Sequence, residues 1–298
     1  MLYSVKTINQ AHIAAVILNF RRADLTTRCV ASLAGQLKLV LIVDNSADEE
    51  ESKRLAECME TSGHCMETSD IQIVNPGVNL GFARGVDYGI RRVIEQGDFE
   101  AVLVINNDAV ADAGMVEGML KALRAHGGLA LVAAKMGDGP TASLLWYHRL
   151  FALVLRKPCL DAFPYLSGAC LLIPMSLARG CLFDPDFFMY GEDVELSWRM
   201  NQSGVRLVAA DVMCGHVGSA SARIGSLFYE YHVAKGHLLL ARKLARNQFE
   251  SWLFLFGRAI SLPLRATVRS LRHRSLLPWL ALLLAWLGKT PLPPGSKL

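Results

Sequence analysis

Apolar runs of strand length recur at regular intervals through the first half of the chain, and stretches with helical spacing separate them. The apolar runs lie at residues 13–18, 38–43, 71–74 and 101–105. The helical stretches between and after them lie at residues 23–34, about 48–60, 82–96 and 112–126. Strands that alternate with helices of roughly 10–15 residues are typical of βαβ units. We therefore predict an α/β fold with a mainly parallel central sheet flanked by helices on both faces.

Three further apolar segments extend this pattern. Residues 130–134 and 169–173 are predicted strands, and residues 206–209 form a shorter one. Between the last two strands, a helical pattern begins after Gly191 and ends at Gly204, a residue type that commonly stops a helix.

Polar residues follow each of the first four predicted strands at the point where the strand ends. Asn19 follows the first strand, Asp44 the second, Asn75 the third, and Asn-Asn-Asp at 106–108 the fourth. In open parallel sheets, ligands bind in the crevice beyond the carboxyl ends of the strands. One polar strand end is commonly a helix cap, but four in succession indicate a binding site at this edge.

A glycine-rich segment after the third strand adds a second sign of phosphate binding. Residues 79–85 read Asn-Leu-Gly-Phe-Ala-Arg-Gly and open a predicted helix. The glycines allow close backbone approach, and the helix N-terminus with Arg84 can face a diphosphate; an ordinary turn is the alternative. The dinucleotide-binding and P-loop glycine motifs are both missing from the sequence, which disfavours those two classes.

The charge of the chain is concentrated at its C-terminal end. The whole chain of 298 residues carries +4, whereas residues 251–298 hold five Arg, two Lys and no acid, so the remaining residues sum to −3. No stretch reaches the roughly 18 apolar residues of a spanning helix, and the N-terminus lacks the features of a signal peptide. The seven scattered cysteines suggest reduced thiols in the cytoplasm.

The basic C-terminal segment is also strongly apolar. Residues 225–247 are predicted to form an amphipathic helix, and beyond them arginines alternate with bulky aliphatic and aromatic residues. The apolar run at 276–287 is too short to span a bilayer but suits burial in the membrane interface. A packed helical hairpin or a homodimer interface is the alternative, and nucleic acid is disfavoured because the basic residues do not form a polar face.

Six short motifs occur in order along the chain, and together they resemble a known family. The motifs are VILNF at 16–20, VDNS at 43–46, NLGFARG at 79–85, NND at 106–108, GEDVELSWR at 191–199, and the lone His216. In this order and spacing the chain resembles the family 2 inverting glycosyltransferases of the GT-A (Rossmann-like) fold, and within them the bacterial rhamnosyltransferase-like branch. The resemblance covers roughly residues 12–240.

The resemblance implies a nucleotide-diphosphate sugar donor and a divalent metal, Mg²⁺ or Mn²⁺. Asp108 matches the metal-binding "DxD" position, while Asn106 and Asn107 stand where the usual motif has acids. A metal held by a carboxylate can neutralise the charge that grows on the diphosphate as the glycosidic bond breaks. His216 is implied to contact the metal or the diphosphate, and Arg223 to add charge to the same phosphates.

The resemblance also assigns residues to the donor. Asp44 would read the pyrimidine base, with a helix cap or Asx turn as the alternative. The other donor-binding candidates are Asn19, Phe20, Asn79, Gly81, Arg84, Asn106, Asn107, Ser167, Gly168 and Arg223.

The ED pair at the start of the predicted helix carries the chemistry in this family. Asp193 would be the general base that takes a proton from the acceptor hydroxyl, and Glu192 would assist it. The alternative is that both acids only complement the helix dipole. Arg199 lies where the family has a positive group near the ED motif, and a salt bridge to Glu195 or Glu192 is the equal alternative. For Trp198 we expect a place in the core.

These inferences predict a GT-A catalytic domain at 1–224, with a nucleotide-binding half at about 12–135 and an acceptor half at about 136–224, and a helical extension at 225–298. The expected reaction moves L-rhamnose from dTDP-rhamnose to a lipopolysaccharide core or lipid-linked surface glycan, at the inner face of the cell membrane. A UDP-hexose donor is the alternative within the class. A nucleotidyltransferase and a non-catalytic scaffold are the alternatives outside it.

Overall fold

An eight-stranded, mainly parallel sheet forms the centre of the molecule. The computed structural model describes residues 12–62, 70–136, 144–216 and 225–291. The strand order is β3-β2-β1-β4-β10-β6-β11-β5, and only β10 and β5 run against the other six. The strands of this sheet are β1 Ile13–Asn19, β2 Leu39–Asp44, β3 Asp70–Val74, β4 Ala101–Asn106, β5 Ala109–Ala111, β6 Ala130–Met136, β10 Cys170–Pro174 and β11 Arg206–His216.

Helices cover both faces of this sheet and form the C-terminal end of the described chain. They are α1 Ala23–Ser32, α2 Glu49–Ser62, α3 Gly81–Glu95, α4 Met115–Ala125, α5 Met175–Ala178, α6 Glu192–Gln202, α7 Leu227–Lys243, α8 Gln248–His273 and α9 Leu277–Trp286. The predicted α/β class with a mainly parallel sheet and a helical C-terminal extension is confirmed.

The strand β1 shows how the sequence builds two cores. Residues 13–17 are fully buried, but Ala14 and Val16 belong to one hydrophobic cluster while Ala15 and Ile17 belong to the other. Because neighbouring side chains of a strand point to opposite faces, a run without polar alternation needs cover on both sides. The continuous apolar runs of the sequence therefore follow from helical packing on both faces.

A small antiparallel sheet was not predicted from the sequence. Its strands are β7 Leu144–His148, β8 Leu153–Leu155 and β9 Ala162–Leu166, in the order β8-β7-β9. Helix α6 packs on β9: the Trp198 ring contacts the Phe163 ring at 4.8 Å between centroids, and Leu166 N–H donates to Ser197 Oγ at 3.1 Å. Trp198 thus lies against the core, as predicted.

The strand expected at 206–209 is longer than predicted. It continues to His216 as β11, with an irregular register between Ala209 and Met213. The extension pairs with the short strand β5, so that His216 lies opposite Ala109. The exposed Asp211 interrupts the apolar run, which is why the pattern predicted too early an end.

The C-terminal helices pack on the rest of the molecule as well as on one another. Leu240 and Leu244 of α7 and Phe254 of α8 belong to a core cluster that includes strands of the main sheet. Tyr231, Leu262 and Leu282 join α7, α8 and α9 in a cluster of their own. The boundary at residue 224 stays a prediction. No helix among the described residues is long and apolar enough to cross a bilayer.

Candidate active site

A cavity of about 290 Å³ opens at the carboxyl edge of β1 and β4. It lies where the direction of the sheet changes, because β10 runs antiparallel beside β4. Ten residues predicted for the site line this cavity: Phe20, Asn79, Gly81, Asn106, Asn107, Asp108, Ser167, Gly168, Glu192 and Asp193. Residues from distant parts of the sequence therefore meet at one edge of the sheet.

Asn106 ends β4, and Asn107 and Asp108 form the turn between β4 and β5. Asn107 and Asp108 are each 5% exposed, although both line the cavity. The next residue, Ala109, pairs with His216 at the end of β11. The backbone of His216 thus runs beside Asp108, while the side chain of His216 and all of Arg223 lie outside the described residues.

A chain of buried hydrogen bonds joins the ends of three strands. Asn107 Nδ2 donates to Thr26 Oγ1 at 3.1 Å, and Thr26 Oγ1 donates to Asn19 Oδ1 at 2.8 Å. Asn19 Nδ2 then donates to Asp44 Oδ1 at 3.1 Å. Buried polar groups need such partners, so this chain fixes the relative positions of the strand ends that carry the site.

Asp44 is fully buried and lies behind the cavity lining. Besides Asn19, its carboxylate accepts hydrogen bonds from Ser46 N at 3.2 Å, from Asn75 Nδ2 at 3.4 Å and from the Ser52 hydroxyl. The bond to the amide two residues ahead is an Asx turn, the alternative considered for this residue. In the structure, Asp44 and Asn19 therefore hold the neighbouring strand ends in place. Base reading by Asp44 stays a prediction.

The glycine-rich segment is held against the cavity by Asn45. Asn45 Oδ1 accepts from Leu80 N at 2.8 Å, and its Nδ2 donates to Gly81 O at 3.0 Å. Gly81 has a φ of +74°, and an added Cβ would lie 2.4 Å from the Phe188 carbonyl oxygen. Only glycine fits there. Arg84, in contrast, is exposed and donates through Nε to Pro185 O at 3.0 Å, outside the cavity lining.

The ED pair lies at the first turn of α6, where the backbone is unusual. Tyr190 has a φ of +67° and Gly191 a φ of +101°, so two successive residues adopt left-handed conformations before the helix. Gly168 N–H donates to Asp193 Oδ2 at 3.2 Å, and Val194 N–H donates to Asp193 Oδ1 at 2.8 Å. These bonds orient the Asp193 carboxylate at the cavity wall.

Both acids of the pair have raised pKa values. Burial, together with the nearby Asp193 charge, raises the pKa of Glu192 to about 8. Burial also raises the pKa of Asp193, against the backbone hydrogen bonds that lower it. Glu192 Oε2 has no hydrogen-bond partner among the described residues. Two adjacent carboxyls with raised pKa values, one of them incompletely bonded, are typical of acid–base sites.

An aromatic wall completes the cavity and was not predicted from the sequence. Phe188, Met189 and Tyr190 line it just before the ED pair, and Phe228 lines it from α7. Burial raises the pKa of Tyr190, and Tyr229 and the carboxyls of Glu192 and Asp108 raise it further. The run of aromatics directly before the ED motif was the available signal for part of this wall, whereas nothing local marked Phe228.

Arg199 bonds one of its two expected partners. Its Nε donates to Glu195 Oε1 at 3.1 Å, and its Nη2 donates to Leu182 O at 2.6 Å. Glu195 therefore pairs with Arg199, whereas Glu192 lines the cavity, which is consistent with different roles for the two glutamates.

The donor set near Asp108 fits a divalent metal only together with a phosphate ligand. Within the described residues, no group of three or more His, Cys, Asp or Glu side chains is arranged to hold an ion. Asp108 supplies one carboxylate, and the amides of Asn106 and Asn107 line the same cavity. Mg²⁺ is commonly bound by one or two carboxylates plus substrate phosphates, so the residues present are compatible with such a site.

The central sheet and its covering helices are consistent with the GT-A fold of glycosyltransferases, and comparison with known proteins shows the family. Residues 14–178 match the family described as Glycosyl transferase family 2, and the chain belongs to that family. It is 21% identical over 213 residues to the Low-salt glycan biosynthesis hexosyltransferase Agl10 of Haloferax volcanii. That alignment covers 67% of this chain and 65% of the relative, so the chain spans slightly less than two thirds of the relative's length.

Proposed function

We propose that this glycosyltransferase moves a sugar from a nucleotide diphosphate to a lipid-linked glycan or lipopolysaccharide core, with inversion at the anomeric carbon. The observation that carries the proposal is the meeting of Asp108, the glycine-rich segment and Asp193 at one cavity. L-Rhamnose from dTDP-rhamnose is the donor that the motif pattern favours. A UDP-hexose is the second candidate, and the similar archaeal protein is named a hexosyltransferase, a name that specifies no nucleotide.

In this proposal Asp193 acts as the general base. Its carboxylate faces the cavity and is oriented by two backbone N–H groups, at Gly168 and Val194. An inverting displacement needs one carboxylate that takes the proton of the acceptor hydroxyl as that oxygen attacks. The raised pKa of Asp193 makes it a stronger base than an ordinary aspartate.

The diphosphate of the donor would lie near Asp108 and the cavity-lining amides. A bound Mg²⁺ or Mn²⁺ would supply charge neutralisation for the leaving diphosphate. Asp108 would hold that ion with the diphosphate oxygens, and His216 is a further candidate ligand. The protein's own contribution is a buried, preorganised pocket in which such charges interact strongly.

The nucleoside would lie toward Phe20 and the end of β1. Phe20 offers a ring at the cavity, and the buried network of Asn19 and Asp44 fixes the backbone on either side of it. The acceptor would approach the opposite wall, where Ser167 and the aromatic residues lie. We further propose that the enzyme acts in the cytoplasm at the inner leaflet, where a lipid-linked acceptor is found; a homodimer is the alternative use of its apolar extension.

Calorimetric titration with dTDP, UDP, GDP and CDP, each with and without Mn²⁺, tests the proposal. We expect dTDP or UDP to bind, and their affinity to fall at least tenfold when Mn²⁺ is omitted or in Asp108→Asn. Asp112→Asn, at an exposed acid directly after β5, is the matched control and should bind like the wild type. If the folded wild type binds none of the four nucleotides, the proposal is wrong.

A further inference from the structure

Helix α8 presents an apolar face to solvent. Six side chains spaced three or four residues apart form this apolar stripe, and each is between 45% and 76% exposed: Phe249, Trp252, Phe256, Ile260, Leu264 and Val268. At 1.5 Å per residue, the stripe is about 28 Å long. A helix on the surface of a water-soluble domain normally buries its apolar face and exposes its polar face to water.

Two arginines of the same helix are turned toward the rest of the protein. Arg258 is fully buried, and its guanidinium donates to the carbonyls of His237 at 3.2 Å and Leu150 at 2.9 Å. Arg269 Nε donates to the buried Glu230 carboxylate at 2.7 Å. The fold satisfies these charges internally and leaves the apolar face outside, so the outer face is suited to an apolar medium.

Helix α9 continues the same exposed surface. Fifteen of the 22 exposed large apolar side chains among the described residues lie between Phe249 and Leu287. They include Trp252, Trp279 and Trp286, which are 72%, 41% and 45% exposed. Tryptophan is enriched where proteins meet the boundary between lipid headgroups and acyl chains.

Basic groups border this surface, and no acidic residue occurs between 251 and 298. Arg272, Arg274 and Lys289 are exposed at the C-terminal ends of α8 and α9. A groove of about 420 Å³ beside Trp279 combines Arg274 with the hydroxyl residues Ser270 and Ser275. Ser270 Oγ has no hydrogen-bond partner among the described residues. Arginine with hydroxyl groups is suited to a phosphate headgroup.

We propose that α8 and α9 form a docking surface for a bilayer that contains anionic phospholipid. The apolar stripe enters the interface, and Arg272, Arg274 and Lys289 pair with lipid phosphates. A second copy of the chain fits less well, because a two-fold interface would bring these basic groups toward one another without an acidic partner. This surface is separate from the active-site cavity.

Helix α7 connects the docking surface to that cavity. Phe228 lines the cavity, whereas Tyr231 packs among residues of α8 and α9. Helix α7 therefore contacts both the cavity and the two helices that carry the docking surface. Docking by α8 and α9 would hold the active site close to the lipid surface.

Vesicle flotation of the full chain, without any donor, tests the inference. We expect the protein to float with phosphatidylcholine vesicles that contain 30% phosphatidylglycerol, a fraction of about a third chosen to mimic an anionic leaflet. Replacement of Trp252, Phe256 and Leu264 by Gln should lower the bound fraction at least tenfold. Leu160→Gln, at a 93% exposed leucine elsewhere, is the matched control and should float normally.

The charge contribution is tested by Arg272→Glu with Arg274→Glu. We expect at least fivefold weaker binding, against no change for the charge-matched Lys121→Glu with Arg124→Glu on α4. A folded wild type that fails to float with anionic vesicles overturns the inference. So does a stripe variant that floats normally but changes from dimer to monomer by light scattering, because the surface would then be a subunit interface.

Discussion

At the scale of single residues, the site depends on polar side chains whose hydrogen bonds are formed before any ligand binds. The bonds from Asn107 through Thr26 and Asn19 to Asp44 join three strand ends in a dry environment. Asp193 is held in the same way by two backbone N–H groups. Preorganisation of this kind reduces the reorganisation that catalysis would otherwise require.

Removal of the Thr26 hydroxyl should weaken this framework. Thr26→Val keeps the shape but removes the hydroxyl bonded by Asn107 and Asn19, which should destabilise the fold by about 1–3 kcal/mol. Urea unfolding measures the effect. Thr27→Val is the control: that hydroxyl donates to the Ala23 carbonyl within its own helix, and its loss should cost under about 0.5 kcal/mol. Equal effects of the two substitutions would contradict the role given to Thr26.

Glu192 should make stability depend on pH in a specific direction. Its folded pKa is raised to about 8, so the folded chain holds the proton more tightly and loses stability as pH rises from about 4.3 toward 8. Glu192→Gln removes this loss. The variant should match the wild type near pH 4 and exceed it by roughly 1–3 kcal/mol at pH 8.5 in urea unfolding. A difference that does not change with pH would show that the carboxyl titrates normally.

At the scale of elements, the packing of α7 against the ED loop links the C-terminal helices to the cavity. An added Cβ at Gly236 would lie 2.2 Å from the carbonyl oxygen of Tyr190. Gly236 therefore permits the close approach that brings Phe228 to the cavity wall. The extension is part of the active-site structure as well as a surface for docking.

Gly236→Ala should separate α7 from this loop. In a helix interior, alanine is favoured over glycine by about 1 kcal/mol, so propensity alone predicts stabilisation. The steric clash predicts a lower melting temperature and weaker nucleotide binding instead. Thermal unfolding and calorimetry measure both. A variant that is more stable and binds normally would show that the contact is unimportant.

The elements that could be predicted from the sequence are the long ones with strong periodicity. The strands β1, β2 and β4 are continuous apolar runs, so their position and their burial on both faces followed from the pattern. The small sheet β7–β9 escaped prediction because its strands are short and partly exposed. The sequence also did not predict the roles of Thr26, Ser52 and Phe228, because these roles arise from contacts with residues far away in the sequence.

At the scale of the whole molecule, the proposed docking surface and the cavity lie on either side of α7. If both proposals hold, docking concentrates the enzyme at the surface that carries its acceptor. In that case the basic residues 251–298 serve docking, and the slightly acidic remainder of the chain carries the active-site cavity.

Loss of docking should therefore impair transfer to lipid-linked acceptors alone. The variant with Gln at Trp252, Phe256 and Leu264 should transfer sugar to an acceptor in anionic vesicles at least tenfold more slowly, while its nucleotide affinity stays within about twofold. Leu160→Gln serves again as the control. An equal loss of nucleotide affinity would indicate damage to the fold rather than to docking.

The most direct test of the central claim is transfer of labelled sugar from dTDP-rhamnose or a UDP-hexose to membrane glycolipid by wild type and Asp193→Asn. We predict transfer by the wild type, a loss of about 10²–10⁴-fold in turnover for Asp193→Asn, and nucleotide affinity within about twofold in the variant. Asp112→Asn should transfer normally. Undiminished turnover in Asp193→Asn would contradict the assignment of the base, and a folded wild type that transfers from none of these donors would contradict the proposed reaction.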